Sequence, residues 1–229
     1  MNQTKYNATV DEVFTTQIIL LQEPRSTKFT YELINAPENM KIDSLGNVNW
    51  VPIPTQVDDY NFEIIISDGI AANTLFINIY VNAPPVISSR PTKIYFLPDG
   101  EKLNFPLESF DLNSNTSLEW KLLSGPTDMA LSSEGALTWN NTNLGHHPYG
   151  IELTDGIDSV QWQADIYVNA TPEITSKPVT VVTKGKRYEY ALTAWDANKM
   201  SPFDSLAGNQ ISFSLIQGPE GLNIDENNL

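Results

Sequence analysis

Two short runs in this chain could hold a hard cation, Asp111-Leu112-Asn113 and Asp196-Ala197-Asn198. Calcium takes six or more oxygens, mostly carboxylate and carbonyl, from loops. In an Asp-x-Asn run the side-chain oxygens at i and i+2 could face one ion. The two runs stand at matching places, one after Phe110 and the other after Trp195. The aspartates Asp68, Asp155 and Asp158, near Gly69 and Gly156, are further oxygen donors. The same residue types also close turns by accepting nearby backbone N–H groups, with no ion involved. One carboxylate with an Asn and backbone carbonyls makes a weak site. Any calcium is therefore expected to bind weakly, at Asp111 with Asn113 or at Asp196 with Asn198, and no other cofactor is expected.

The remaining chemistry is thin. His146 and His147 are adjacent in sequence, and neighbours on a loop rarely face one metal. They are expected in a solvated turn before Pro148. The chain has no cysteine and no Gly-x-Ser-x-Gly elbow, so an activated nucleophile has no evident source. Nothing in the pattern sets two carboxylates in one cleft, as glycoside hydrolysis requires. The chain is not expected to be an enzyme. Trp162 and Trp195 lack a Trp counterpart elsewhere in the chain; either ring could stack on a sugar, or fill a local gap in a core. Asn-x-Ser/Thr occurs at Asn2, Asn7, Asn115, Asn140 and Asn169. These would be glycan acceptors in a secretory protein, although an Asn- and Thr-rich chain produces such triplets by chance.

The net charge of -15 argues against nucleic acid as a partner, because phosphate binding wants clustered Lys and Arg. No apolar stretch approaches the length of a membrane-spanning helix. The absence of cysteine removes disulfides as a source of stability.

The elements that must position these residues come from a repeat. Tyr31-Glu32-Leu33, Met40, Ile42, Gly46, Trp50, Tyr60 and Asp68-Gly69 recur as Trp120-Lys121-Leu122, Met129, Leu131, Gly135, Trp139, Tyr149 and Asp155-Gly156. The offsets agree, 89 for Trp50 to Trp139 and 87 for Val81 to Val168. A third copy opens at Ile174 and reaches Gly218-Pro219 and Asp225. A period this long is a repeated domain rather than a solenoid unit. Alternating runs rich in β-branched and aromatic residues, at 62–66, 75–81, 149–153 and 160–168, predict antiparallel strands around Asp-Gly turns. Proline follows each closing strand, at Pro84-Pro85 and Pro172, and makes a stiff joint. The expected fold class is all-β, with tandem β-sandwiches at 1–83, 84–170 and 171–229, the first cut at its start and the last at its end. Matching Tyr6 to Tyr188 makes the first repeat begin after its counterpart of 84–97. The same match sets Phe14 where Asp196 stands. Trp50 and Trp139 are expected as core plugs, with Met40 and Met129 inward beside them.

These residues resemble the cadherin-like modules of the dystroglycan type and the related immunoglobulin-like repeats of bacterial surface proteins. The residues that carry the likeness are Tyr31, Pro37, Met40, Ile42, Asp43, Gly46, Trp50, Tyr60, Asp68 and Gly69, with their second-repeat counterparts. The resemblance implies Ig-like or cadherin-like sandwiches displayed outside the cell or at its surface. It implies roles in spacing and adhesion, and partners among neighbouring repeats, cell-surface proteins or carbohydrate. It also implies calcium at the joints. Here the sequence departs, since Asn82-Ala83 and Asn169-Ala170 put no carboxylate in the linkers. An accessory module of a secreted enzyme, binding carbohydrate or calcium, and a subunit polymerising by strand donation are the alternative readings.

Overall fold

A computed structural model describes residues 4–20, 28–114, 116–140, 143–198 and 211–224. No helix occurs among them. The first repeat holds β1 (Thr4–Thr9), β2 (Phe14–Gln17), β3 (Thr30–Ile34), β4 (Lys41–Ile42), β5 (Asn47–Trp50), β6 (Asp58–Ser67) and β7 (Ala72–Asn82). They form two sheets, in the orders β1-β7-β6-β3 and β2-β5-β4. The second repeat holds β8 (Val86–Ser89), β9 (Ile94–Pro98), β10 (Lys102–Pro106), β11 (Glu108–Phe110), β12 (Glu119–Ser124), β13 (Ala130–Leu131), β14 (Ala136–Asn140), β15 (Gly145–Thr154) and β16 (Ser159–Asn169). Its sheets run β12-β15-β16-β9 and β10-β14-β13, with β8 paired to β11. In the third repeat β17 (Glu173–Ile174) pairs with β18 (Ala194–Trp195). The chain is thus built of tandem β-sandwiches.

Period-two patterning explains each layer. Along β16, Ala164, Ile166 and Val168 point inward and are buried, as alternate strand residues must. Two separate cores result, one drawn from Ala8 to Ala83 and one from Ile87 to Val168. Trp50 and Trp139 plug them at 2% and 4% exposure, with Met40 and Met129 also buried. Each indole N–H donates to a backbone carbonyl twelve residues earlier, Trp50 to Glu38 at 3.2 Å and Trp139 to Thr127 at 3.1 Å. A buried polar handle needs such a partner. Gly135 has φ +86, and a Cβ there would lie 2.8 Å from the Leu107 carbonyl and 3.0 Å from the Trp120 indole nitrogen. No larger residue fits that turn unstrained.

Two expectations need correction. Phe14 lies opposite Trp50 as Leu103 lies opposite Trp139, so Phe14 matches Leu103 and not Asp196. The first repeat's counterpart of Asp111 then falls in 21–27, outside the described residues. Likewise β1 lies parallel beside β7 as β9 lies parallel beside β16. A counterpart of Ile94–Pro98 is therefore present in the first repeat. The error came from matching Tyr6 to Tyr188. Counting back from the equivalent residues Phe110 and Trp195 puts Tyr188 level with Leu103, on a different strand from Tyr6.

Candidate functional site: the joints between repeats

Each Asp-x-Asn run sits where one repeat meets the next. Asp111 Oδ1 accepts the Asn113 N–H at 2.7 Å, and Asp196 Oδ1 accepts the Asn198 N–H at 2.8 Å. Both aspartates therefore close a local turn. That turn aims each asparagine amide at the end of the preceding repeat. Asn113 Nδ2 donates to the Val81 carbonyl at 2.7 Å, and its Oδ1 accepts the Ala83 N–H at 2.7 Å. Asn198 does the same, donating to the Val168 carbonyl at 3.0 Å and accepting the Ala170 N–H at 2.5 Å. One side chain thus mimics a rung of β-ladder, satisfying two backbone groups that would otherwise be buried without partners. Asn113 and Asn198 are both buried. The calcium candidates Asp111, Asn113, Asp196 and Asn198 are brought together in pairs, one pair per joint, in a clamp on the linker.

The first joint carries more. Asn82, 1% exposed, donates from Nδ2 to Asp155 Oδ2 at 2.7 Å and Asp158 Oδ2 at 2.9 Å. Asp155 Oδ1 meanwhile accepts the N–H groups of Ile157 and Asp158, at 2.7 and 2.6 Å, and so closes the β15–β16 turn. Asp68 closes the equivalent β6–β7 turn through Ile70 and Ala71. Asp58, from the first repeat, accepts Asn113 Nδ2 at 3.1 Å, the Ser114 N–H at 3.1 Å and the Ser114 hydroxyl at 2.9 Å. Burial pushes the Asp58 carboxyl up, but the bonds from Ser114 and Asn113 outweigh it and hold the group below its ordinary value. The opposite balance holds at Asp111, where burial raises the carboxyl and the charges of Asp155 and Asp58 add to the rise. Asp111 Oδ2 and Asn82 Oδ1 are buried with no hydrogen-bond partner. The first joint is therefore rich in oxygen and short of donors. Among the described residues, no three acidic or imidazole groups converge closely enough to hold a metal ion.

The remaining candidates lie elsewhere. His146 and His147 are not in a solvated turn; both belong to β15, opposite Tyr167 and Ile166 of β16. His147 packs its ring 4.8 Å from that of Trp139, as Tyr60 packs on Trp50 at 5.7 Å. His146 Nε2 meets Asp165 at 2.7 Å. Trp162 is half-buried, with Arg90 4.0 Å and Lys93 3.9 Å from its ring centroid, so two cations already cover it. Trp195 is 56% exposed. Asn7 and Asn140 are exposed and Asn169 half-buried, while Asn2 and Asn115 fall outside the described residues. Sequence reasoning missed Asn82 and Asp58, and did not foresee the linker backbone as a partner of Asn113 and Asn198. The available signal was co-recurrence: Val-Asn-Ala at 81–83 and 168–170 accompanies Asp-x-Asn at 111–113 and 196–198.

No family model matches this chain. Among solved structures, it is similar to Drosophila OTK extracellular domains 3–5, with a TM-score of 0.53 and 11% identity. That match covers 72% of this chain, which spans 60% of the OTK fragment. Looser likenesses are to Drosophila N-cadherin EC1-4 (TM-score 0.41, 12% identity, 85% of this chain and 56% of that one) and to an endo-fucoidan hydrolase of glycoside hydrolase family 107 (TM-score 0.35, 20% identity, 75% and 28%). At 11% identity the likeness to the OTK fragment speaks for the sandwich fold alone.

Proposed function

We propose that this chain is a non-catalytic spacer or adhesive stretch of a protein displayed outside the cell or at its surface. Its units are the sandwiches 1–83, 84–170 and 171–229. The observation that carries the reading is the asparagine clamp, present at both joints with two equivalent backbone partners at each. A side chain spent on ordering the linker sets one repeat against the next, which suits a rod and serves no reaction. Its first partners are therefore the neighbouring repeats. Calcium, where it binds, does so weakly near Asp111 or Asp196, with Asp111 Oδ2 the oxygen at hand. Bacterial origin and the dystroglycan-type subfamily belong to the same proposal and rest on the sequence resemblance.

Small-angle X-ray scattering of the whole chain tests the rod. The first two sandwiches alone should span roughly 70–90 Å end to end, taking about 35–45 Å for strands of ~10 residues with their turns. A compact particle, with repeats folded back on one another, would sink the reading. A second reading, a carbohydrate-binding accessory module, keeps one supporting feature in exposed Trp195. Quenching of tryptophan fluorescence by a glycan, lost in Trp195→Ala, would favour it.

A further inference from the structure

The two joints share the asparagine clamp; the first adds the Asn82 bonds to Asp155 and Asp158, and the two differ again at one position that faces the clamp. Asp58 opens β6 opposite Val81, and Gly145 opens β15 opposite Val168. The two residues are therefore equivalent, each one strand away from the carbonyl that the clamp grips. Both take a left-handed backbone, φ +74 at Asp58 and +101 at Gly145. Glycine adopts that conformation freely, whereas a side chain there is strained. The first repeat nonetheless carries an aspartate. Every side-chain hydrogen bond described for that aspartate goes to the next repeat: Asn113 Nδ2, the Ser114 N–H and the Ser114 hydroxyl. No partner within its own sandwich rewards the strain.

We infer that Asp58 is a lock between the first and second repeats, and that Gly145, having no side chain, supplies none among the described residues of the second joint. The rod is then unequal along its length, with repeats one and two moving as one body and repeat three swinging about residues 170–172. The clamp alone fixes the linker backbone to the following repeat. It does not fix the rest of the preceding sandwich, because both clamped groups lie on the linker strand. Asp58 ties the neighbouring strand β6 to the same turn, and two tethers on adjacent strands remove the rotation that one allows. Space is not the reason for glycine at the second joint, since a Cβ at Gly145 would meet nothing within 4 Å. This extends the spacer reading to the mechanics of the rod. A loose first joint would refute the inference and leave that reading untouched.

The absence of native cysteine allows clean spin labelling of the whole chain. Labels at Ile70→Cys and Lys121→Cys report the first joint, and labels at Lys121→Cys and Glu189→Cys report the second. Pulsed dipolar spectroscopy should give a narrow distance distribution across the first joint and a broad one across the second. Asp58→Gly should widen the first toward the second, short of matching it because Asn82 still reaches Asp155 and Asp158, with the melting temperature kept, because the second repeat folds with glycine at that place. Ser114→Ala, which removes one of the three bonds and leaves the β6 backbone alone, should widen it part of the way. A first joint already as broad as the second in the unmodified chain would overturn the inference. So would a distribution that stays narrow in Asp58→Gly.

Discussion

Asp111 uses its two oxygens for opposite ends. Oδ1 closes the turn that aims Asn113, while Oδ2 is buried with no donor, among the charges of Asp155 and Asp58. A carboxyl held above its unfolded value is a cost when ionised. That cost is present at neutral pH, is relieved as pH falls through the folded value, and has vanished below the ordinary 3.8. Asp111→Asn keeps the turn-closing oxygen and removes the charge. Its melting temperature should exceed the parent's at pH 7, and the gap should close as the pH approaches 4; an equal or lower value at pH 7 would contradict this. Asn113 is the reverse case. Asn113→Ala strands the Val81 carbonyl and the Ala83 N–H, and should cost about 1–3 kcal/mol in chemical denaturation, the scale for a buried group left without its bond. A loss inside the scatter of surface substitutions would mean that water replaces the amide.

Strands were legible wherever one residue pattern decided them. Trp50 and Trp139 each follow a Gly turn in an alternating run, and the buried slot opposite β2 and β10 takes both rings. Trp139→Ala should therefore cost ~3–5 kcal/mol, as large-to-small core changes do; a loss under roughly 1 kcal/mol, the scale of surface changes, would remove the ring from the core. His146-His147-Pro148 misled because Gly145 and Pro148 read locally as a turn. The eleven residues of β16 need backbone partners along their whole length, and β15 supplies them by running through the proline. The repeat matched Tyr60 to Tyr149, but the paired strands put His147 in the place of Tyr60 and Tyr149 level with Phe62. Ring and ring are matched only once the strands are paired. The joints were less legible still. Their bonds join a side chain to backbone groups 28 to 32 residues away, and an Asp-x-Asn run looks the same whether it faces an ion or a linker. Asp58 offered no signal at all until its backbone conformation matched that of Gly145.

For the molecule as a whole, the contest is between ions and side chains as the source of stiffness. The clamps, the prolines and Asp58 act without any cation. Melting with calcium and with a chelator should accordingly differ little. Binding adds RT ln(1 + [L]/Kd), so a site with Kd near 1 mM contributes only ~0.4 kcal/mol at 1 mM ion. A rise of about 10 °C with calcium would show the first joint to be an ion-built joint, since for domains of this size it corresponds to more than ~1 kcal/mol.

The parallel pairing of β1 with β7 and of β9 with β16 bears on what happens when the chain is pulled. The second repeat is entered through β8, which pairs with β11, then runs into β9, and is left at the end of β16; β9 and β16 run side by side in the same direction, in register from Ile94 with Asp165 to Pro98 with Asn169. Tension applied through the linkers drags β9 back toward its own start and β16 forward toward its own end. The rungs between them are loaded together, in shear, and none can open before the others as the rungs of a hairpin peeled from its tip would. The first two repeats are thus built to resist stretching along the line on which their neighbours would pull them.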